Sequence, residues 1–198
     1  MAAETVDIAV QALGLIEVEY EVLPAALTPR EAMKPDAPRV PVLDVERPRE
    51  GNVQQPVYVR ARGDVERGLA EADVVSESRF ILPTQYHVDI QTRCCIADWD
   101  GERLTVYEAS QGVWNVKREL AKSLDLHEDR VRVVVQNMGG GFGSKAGAQR
   151  VVHYTARLAM LAGRPVRLEL TRAEEFLSHP RRYAGEVTMR LGARRDGT

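Results

Sequence analysis

Apolar residues recur at helical spacing through residues 3–14, where Val6, Ala9, Val10 and Leu13 share one face and Gly14 ends the run. The period then shortens. Ile16, Val18, Tyr20 and Val22 alternate with Glu17, Glu19 and Glu21, which predicts a half-buried strand over 16–22 with its glutamates in water. A helix followed at once by a strand reads as the end of an α/β unit, so the chain is expected to begin inside a domain. The pattern then lapses into prolines, at 24, 29, 35, 38, 41, 48 and 56. Proline fixes φ and removes a donor, so this stretch is expected to be an extended linker with one short helix at 28–33.

Periodicity returns at Gly63-Asp64-Val65-Glu66, a turn and helix N-cap leading into Val65, Leu69 and Ala72. Residues 74–82 are rich in strand formers. The runs 87–98 and 103–107 flank Asp100-Gly101, the strongest hairpin signal in the chain. Val113, Val116, Leu120 and Leu124 set a helical face over 112–124, and the valines of 131–135 predict a strand buried on both faces. Val151, Val152, Leu158, Ala159 and Ala162 form a second helical stripe, closed by Gly163, and a strand is expected over 166–170. Thr171-Arg172-Ala173-Glu174 has the form of a capping box opening a short helix, and 186–191 alternates again. Asp196-Gly197 is a hairpin turn with no second strand after it, so the chain is expected to be cut at that end also. The fold class is α/β, with mixed α+β character: the end of a small α/β domain at 1–23, a proline-rich linker at 24–62, and the opening part of a second α/β domain at 63–198.

Between the strand expected at 131–135 and the second helical stripe lies Met138-Gly139-Gly140-Gly141-Phe142-Gly143-Ser144-Lys145. Glycine enters φ > 0 freely and lets another molecule approach the backbone, so four glycines in five positions predict a backbone shaped around a ligand. The N–H groups are expected to face that ligand at the start of the following helix, a setting that favours anions and oxygen-rich groups. A Walker loop is excluded, because Ser144 separates Gly143 from Lys145 and Ala146 follows the lysine. The dinucleotide fingerprint fails too, with Ser144 in its last glycine position. Gln111, after Ser110 at a predicted helix start, carries two donors and two acceptor lone pairs. It reads either as an exposed helix-end residue or as a neutral holder of an oxygen ligand.

Composition narrows the partners. The chain of 198 residues has a net charge of −2, and its basic clusters are short, so neither nucleic acid nor an acidic membrane is an expected partner. No apolar run approaches the ~20 residues of a membrane span, and the N-terminus lacks a signal-peptide pattern. The two cysteines, Cys94 and Cys95, are adjacent, which on a strand points them to opposite faces; neither a disulfide nor a metal site is expected of them. A soluble, cytoplasmic protein is the expectation. The four histidines read as surface or satisfied core residues, Trp99 and Trp114 as packing residues, Glu174-Glu175 as a capping feature, and Lys145 as either a phosphate partner or a snorkelling surface lysine.

Leu15-Ile16-Glu17-Val18-Glu19-Tyr20-Glu21, Gly63-Asp64-Val65-Glu66, Ser110-Gln111, Arg130-Val131-Arg132-Val133, Gly139 to Lys145 and Gly163-Arg164-Pro165-Val166-Arg167 occur in an order that resembles one family. It is the molybdenum-cofactor (large) subunit of the xanthine dehydrogenase and aldehyde oxidase family of molybdenum hydroxylases. The resemblance implies that 1–23 ends a hammerhead-like domain and that 63–198 is the first part of a molybdopterin-binding domain. It implies a molybdenum-pterin dinucleotide, in the cytosine form, and hydroxylation of an aldehyde or N-heteroaromatic or aromatic substrate with water as the oxygen source. Electrons would pass to 2Fe-2S clusters and FAD held by partner subunits or domains and not by this chain. Gln111, Gly140, Gly141, Phe142 and Gly143 would bind the cofactor, with Gln111 and Phe142 near the metal. No catalytic residue is expected in this chain, because the family's general base lies in a later part, alongside the remaining molybdenum-binding domains.

Two positions depart from the family pattern. Ala146 stands where xanthine-type members carry a glutamate against the purine, which disfavours xanthine as substrate, and Gln91 stands in a place that is usually acidic. These departures motivate an alternative, a non-catalytic binding or assembly module that keeps the scaffold without the activity.

Overall fold

The computed structural model describes residues 1–40, 49–54, 58–178 and 180–198. The first expected helix forms as α1 (Val6–Leu13), opened by the Thr5 hydroxyl, which accepts from the Ile8 N–H at 3.3 Å. The alternating stretch after it is not a strand. Ile16, Val18, Tyr20 and Val22 are all exposed. Alternation offers two faces, but a strand exists only through main-chain pairing, and 16–22 has no pairing partner among the described residues. The expected short helix is α2 (Pro29–Ala32), with Thr28 and Glu31 forming a capping box. A small hairpin that the proline pattern concealed follows, β1 (Arg49–Glu50) against β2 (Val53–Gln54), turning where Gly51 takes φ +57°. Pro41, Pro48, Pro56 and His179 lie outside the described residues.

Further on come α3 (Val65–Ala70), capped by Asp64, then β3 (Val74–Leu82), β4 (Cys94–Trp99), β5 (Leu104–Glu108) and α4 (Val113–Leu124). The chain continues through β6 (Val131–Val134), α5 (Arg150–Ala162), β7 (Val166–Glu169), α6 (Arg172–Ser178) and β8 (Gly185–Ala193). These elements fall into two compact units. One comprises Met1–Glu19 with Tyr86–Arg182, the other Tyr20–Gln85 with Tyr183–Thr198.

In the second unit β3 and β8 pair antiparallel from Val74↔Ala193 to Leu82↔Gly185. The helix α3 lies on β8 where Gly192 leaves room: a Cβ there would stand 2.9 Å from that of Ala72. Glu66 and Glu71 pair with Arg190 and Arg194. No described residue of this unit is buried.

The first unit holds the core. Its sheet runs β6-β5-β4-β7, with β5 and β6 parallel and the other pairs antiparallel. Cys95 and Ala97 of β4, with Leu104 and Val106 of β5, point to one face and meet Val116 and Leu120 of α4 and Val152, Ala156 and Ala159 of α5. Ile96 and Tyr107 point to the other face and are exposed. Cys94 and Cys95 are free thiols on opposite faces, as strand geometry requires. Burial and the nearby Glu108 carboxyl push the Cys95 thiol up to about 12, so it is an inert packing group.

Three expectations change here. The strand before the hairpin starts at Cys94, not at residue 87, and the turn spans 100–103, with Asp100 accepting from the Glu102 and Arg103 N–H groups. The valine run β6 is an edge strand with only Val131 buried, because its one neighbour is β5. Trp114 is 71% exposed beside Lys117, one position off the inward stripe of α4, whereas Trp99 does pack against the core.

Candidate functional site

Beyond β6 the glycine cluster turns back on itself, and α5 begins only at Arg150 with Gln149 as its N-cap. The loop's N–H groups are therefore not the free donors of that helix, contrary to the expectation from sequence. Two glutamines shape the loop instead. Gln91 Oε1 accepts from the Gly139 N–H at 2.8 Å while the Gln91 N–H donates to the Gly139 carbonyl at 3.2 Å. On the other side Gln111 Oε1 accepts from the N–H groups of Gly143 and Lys145 at 2.8 and 3.4 Å, and the Gln111 N–H donates to the Lys145 carbonyl at 2.8 Å.

The glycines divide by task. A Cβ on Gly139 would stand 2.6 Å from Gln91 Cβ, and one on Gly141 2.5 Å from Gln111 Oε1, so these two admit the glutamine side chains. Gly140 and Gly143 take φ +101° and +94°. Between them Phe142, 70% exposed, takes φ +48°, a conformation that bulky residues rarely hold. The N–H groups of Gly139, Gly143, Ser144 and Lys145 all have acceptors. Those of Gly140, Gly141 and Phe142 carry no hydrogen bond among the described residues. Three consecutive donors thus lack an acceptor, of which Phe142 is exposed, Gly140 half-buried and Gly141 buried. With the Gln111 carbonyl committed to the loop, only its amide NH₂ is left to meet a ligand.

Under the loop runs the irregular segment 87–93. Its main-chain groups are satisfied by side chains rather than by a ladder, which is why apolar alternation misread it as strand. Arg172 donates to the Asp89 and Ile90 carbonyls at 2.8 and 2.6 Å, Lys145 Nζ to the Gln91 carbonyl at 3.3 Å, and the Arg93 N–H donates to Glu175 Oε2 at 3.0 Å. Val88 enters this segment at φ +51°.

Asp89, Arg93, Ser144, Lys145 and Glu175 are all buried. Arg93 meets Glu175 at 2.6 Å and Lys145 Nζ lies 3.6 Å from Asp89 Oδ2, so the cluster is neutral overall. Burial lowers the pKa of both Lys145 and Arg93, and Asp89 and Glu175 act against that. The lysine is therefore neither a phosphate partner at the surface nor a snorkelling side chain, and Glu175 is an ion-pair partner rather than a cap. Glu174 alone completes the capping box with Thr171.

A small cavity adjoins this cluster, lined by Arg93, Cys94, Glu108, Lys145, Gln149 and Val151, with room of about 10 Å³ for a water centre. Glu108 Oε1 is buried there without a hydrogen-bond partner among the described residues. Burial pushes the Glu108 carboxyl up to about 7, against the pull of Arg93 and Lys145.

The structure thus brings Gln111, Gly140, Gly141, Phe142 and Gly143 together. The Gly143 N–H, however, is spent on Gln111. Ala146 is exposed, with its carbonyl accepting from Asn115 at 3.0 Å and packed so closely that a Cβ on Gly112 would lie 2.2 Å away. Sequence reasoning missed Asp89, Arg93 and Glu175, which sit up to 86 positions apart; their one signal was charge set beside apolar runs. Among the described residues no group of three His, Cys, Asp or Glu side chains could hold a metal ion, and no helix is long and apolar enough to cross a membrane.

Known proteins are similar to this chain in sequence and fold. The profile of the molybdopterin cofactor-binding domain family matches residues 47–198. A probable hypoxanthine oxidase of Escherichia coli O157:H7 is 33% identical across 100% of this chain and 24% of its own length. A probable xanthine dehydrogenase subunit of Bacillus subtilis (strain 168) is 34% identical across 100% of this chain and 25% of its own. Among solved structures, the aldehyde oxidoreductase of Desulfovibrio gigas superposes with a TM-score of 0.85 at 26% identity, over 98% of this chain and 21% of that one. The chain spans about a quarter of the length of these relatives.

Proposed function

The chain belongs to the molybdopterin cofactor-binding domain family, and from that premise we propose that its glycine loop forms one wall of the cofactor site of a molybdenum hydroxylase. The observation that carries this is the loop tip, where the N–H groups of Gly140, Gly141 and Phe142 carry no hydrogen bond among the described residues, between two glutamine-held flanks, with Phe142 exposed, Gly140 half-buried and Gly141 buried. The donors suit an oxygen-rich anionic group, since they are preorganised and neutral and the buried charges behind them cancel. Gln111 adds two amide donors, and the exposed Phe142 ring offers an apolar face. When bound, the molybdenum-pterin group supplies oxygen transfer from water and accepts two electrons.

The chain's own residues bind and orient. Main-chain N–H and amide NH₂ groups stabilise charge on an oxygen without giving up a proton, because neither is acidic at neutral pH. We assign the general base to a part of the enzyme beyond these residues, together with the remaining molybdenum-binding domains. The pterin is proposed to carry the cytosine dinucleotide, and electrons to leave through partner 2Fe-2S and FAD centres. The substrate class is an aldehyde or an N-heteroaromatic or aromatic compound, with Ala146 offering no carboxylate to a purine. The second reading, a binding or assembly module without activity, draws on Gln91 and Ala146.

Purification of the native assembly containing this chain, with molybdenum analysis and identification of the nucleotide released from its pterin, tests the proposal. Molybdenum and a cytosine nucleotide in stoichiometric amounts are expected. Their absence from a folded assembly sinks the cofactor reading, and cofactor present with no substrate turnover favours the second one.

A further inference from the structure

Behind the loop tip lies a layer of charge that binding a cofactor through main-chain donors does not by itself require. Arg93, 7% exposed, is gripped twice by Glu175: the Arg93 N–H donates to Oε2 at 3.0 Å and its Nη1 to Oε1 at 2.6 Å. So locked, its Nη2 donates to the Ser144 carbonyl at 2.7 Å. That carbonyl belongs to the same rigid plane as the Lys145 N–H, because the peptide bond does not rotate. The N–H side of the plane meets Gln111 Oε1 at 3.4 Å. One peptide is thereby held from behind by Arg93 and from in front by Gln111.

Among the described residues Ser144 is otherwise fixed within the loop and to Asp89. Its N–H donates to the Gly141 carbonyl at 2.8 Å, and its hydroxyl lies 2.7 Å from that carbonyl and 3.1 Å from Asp89 Oδ2. The plane shares Gln111 Oε1 with the Gly143 N–H, which meets it at 2.8 Å, and it closes the Gly141–Ser144 turn that carries Phe142. We propose that Arg93 is a positioning residue for the cofactor-facing loop, holding the Ser144–Lys145 peptide so that Gln111 and Phe142 stand at fixed places. This rests on the reading of the loop as cofactor-facing.

Arginine is required for geometric reasons. Its planar fork reaches Glu175 with one nitrogen and Ser144 with another, whereas a lysine keeps the charge and the ion pair but cannot hold both in one plane. Arg93→Lys in the full chain therefore separates positioning from simple stabilisation. Hydrogen exchange measured by NMR is expected to quicken at the Gly143 and Lys145 amides by roughly tenfold, the effect of losing one charge-assisted hydrogen bond, while α5 amides exchange as before. Equal acceleration in loop and helix, or none in the loop, overturns the proposal. If Arg93→Lys does not fold, Glu175→Gln, which loosens the lock and keeps a neutral acceptor, is measured in the same way. The same selective loosening is expected of it, and a uniform change or none counts against positioning.

Retention of the molybdenum-pterin cofactor in the assembly is the second arm. Arg93→Lys is expected to lower it severalfold. A wild-type assembly that holds no cofactor removes the functional reading and leaves the exchange result standing. A loosened loop with undiminished retention removes the positioning role alone.

Discussion

Phe142 holds a left-handed backbone conformation, at a cost of about 1–2 kcal/mol to a residue with a Cβ. The residue is 70% exposed and recovers little of this by burial. The strain is kept by the hydrogen bonds that Gln91 and Gln111 make on either side, a pattern that belongs with binding sites. Phe142→Gly is accordingly expected to raise stability by about 1 kcal/mol in denaturant unfolding, while cofactor retention by the assembly falls. A variant that is both less stable and fully loaded would contradict this account.

Glu108 is a second residue whose energetics run against its surroundings. Its carboxyl is raised from 4.5 to about 7 by burial, so the folded protein keeps a proton that the unfolded chain releases. The resulting stabilisation is full below pH 4.5, fades as pH rises and is gone above about 7. Glu108→Gln removes this dependence. Its melting temperature is expected to vary less than that of the wild type between pH 5 and 7, and at pH 8 to correspond to about 2 kcal/mol of added stability after discounting for partial exposure. Thermal melts across that range decide the matter: parallel wild-type and variant curves would show that Glu108 does not titrate there.

At the level of elements, the site depends on how α4 meets the loop. Gly112 is the N-cap of α4, and the Ala146 carbonyl occupies the space that a Cβ would need. Gln111 is the preceding residue, so the side chain that shapes the loop is carried on a helix start pressed against the loop's own exit. Gly112→Ala should force the two apart, costing about 1–3 kcal/mol by the usual penalty for overpacking and releasing the Gln111 hydrogen bonds. Denaturant unfolding measures the cost, and the Gly143 amide shift in NMR reports the release. An unmoved Gly143 resonance would mean that α4 does not register the loop. The helices themselves were legible in the sequence, because Val116 and Leu120 of α4 and Val151, Val152 and Ala159 of α5 follow the helical period onto one sheet face, though Ala156 takes the place expected of Leu158 and Ala162 in the core. The strand expected at 16–22 was not, because pairing is a property of two segments and one pattern cannot supply it.

For the molecule as a whole, burial is unevenly shared. Every buried hydrophobic residue among those described lies in the unit that carries the loop, whereas β3 and β8 are exposed along nearly their whole length. A paired ribbon without a buried face opens at low free energy. Native-state hydrogen exchange is expected to show two classes, with β4, β5, α4 and α5 protected by at least tenfold more than β3 and β8, and unfolding that departs from a single cooperative step. One shared protection class would show that the ribbon is stabilised in a way its exposure does not reveal.

The sequence alone determined the helices, the caps at Asp64 and Thr171, the hairpin around Asp100 and the existence of a glycine loop, because these follow from spacing, turn chemistry and φ preferences within a few residues. It also carried the family, through short stretches kept in order. Only the tertiary structure decided what Gly139 and Gly141 are for, which is to admit Gln91 and Gln111, and left three N–H groups of the loop without an acceptor among the described residues. It alone joined Asp89, Arg93, Lys145 and Glu175, since opposite charges distant in the chain meet only when the fold removes them from water together.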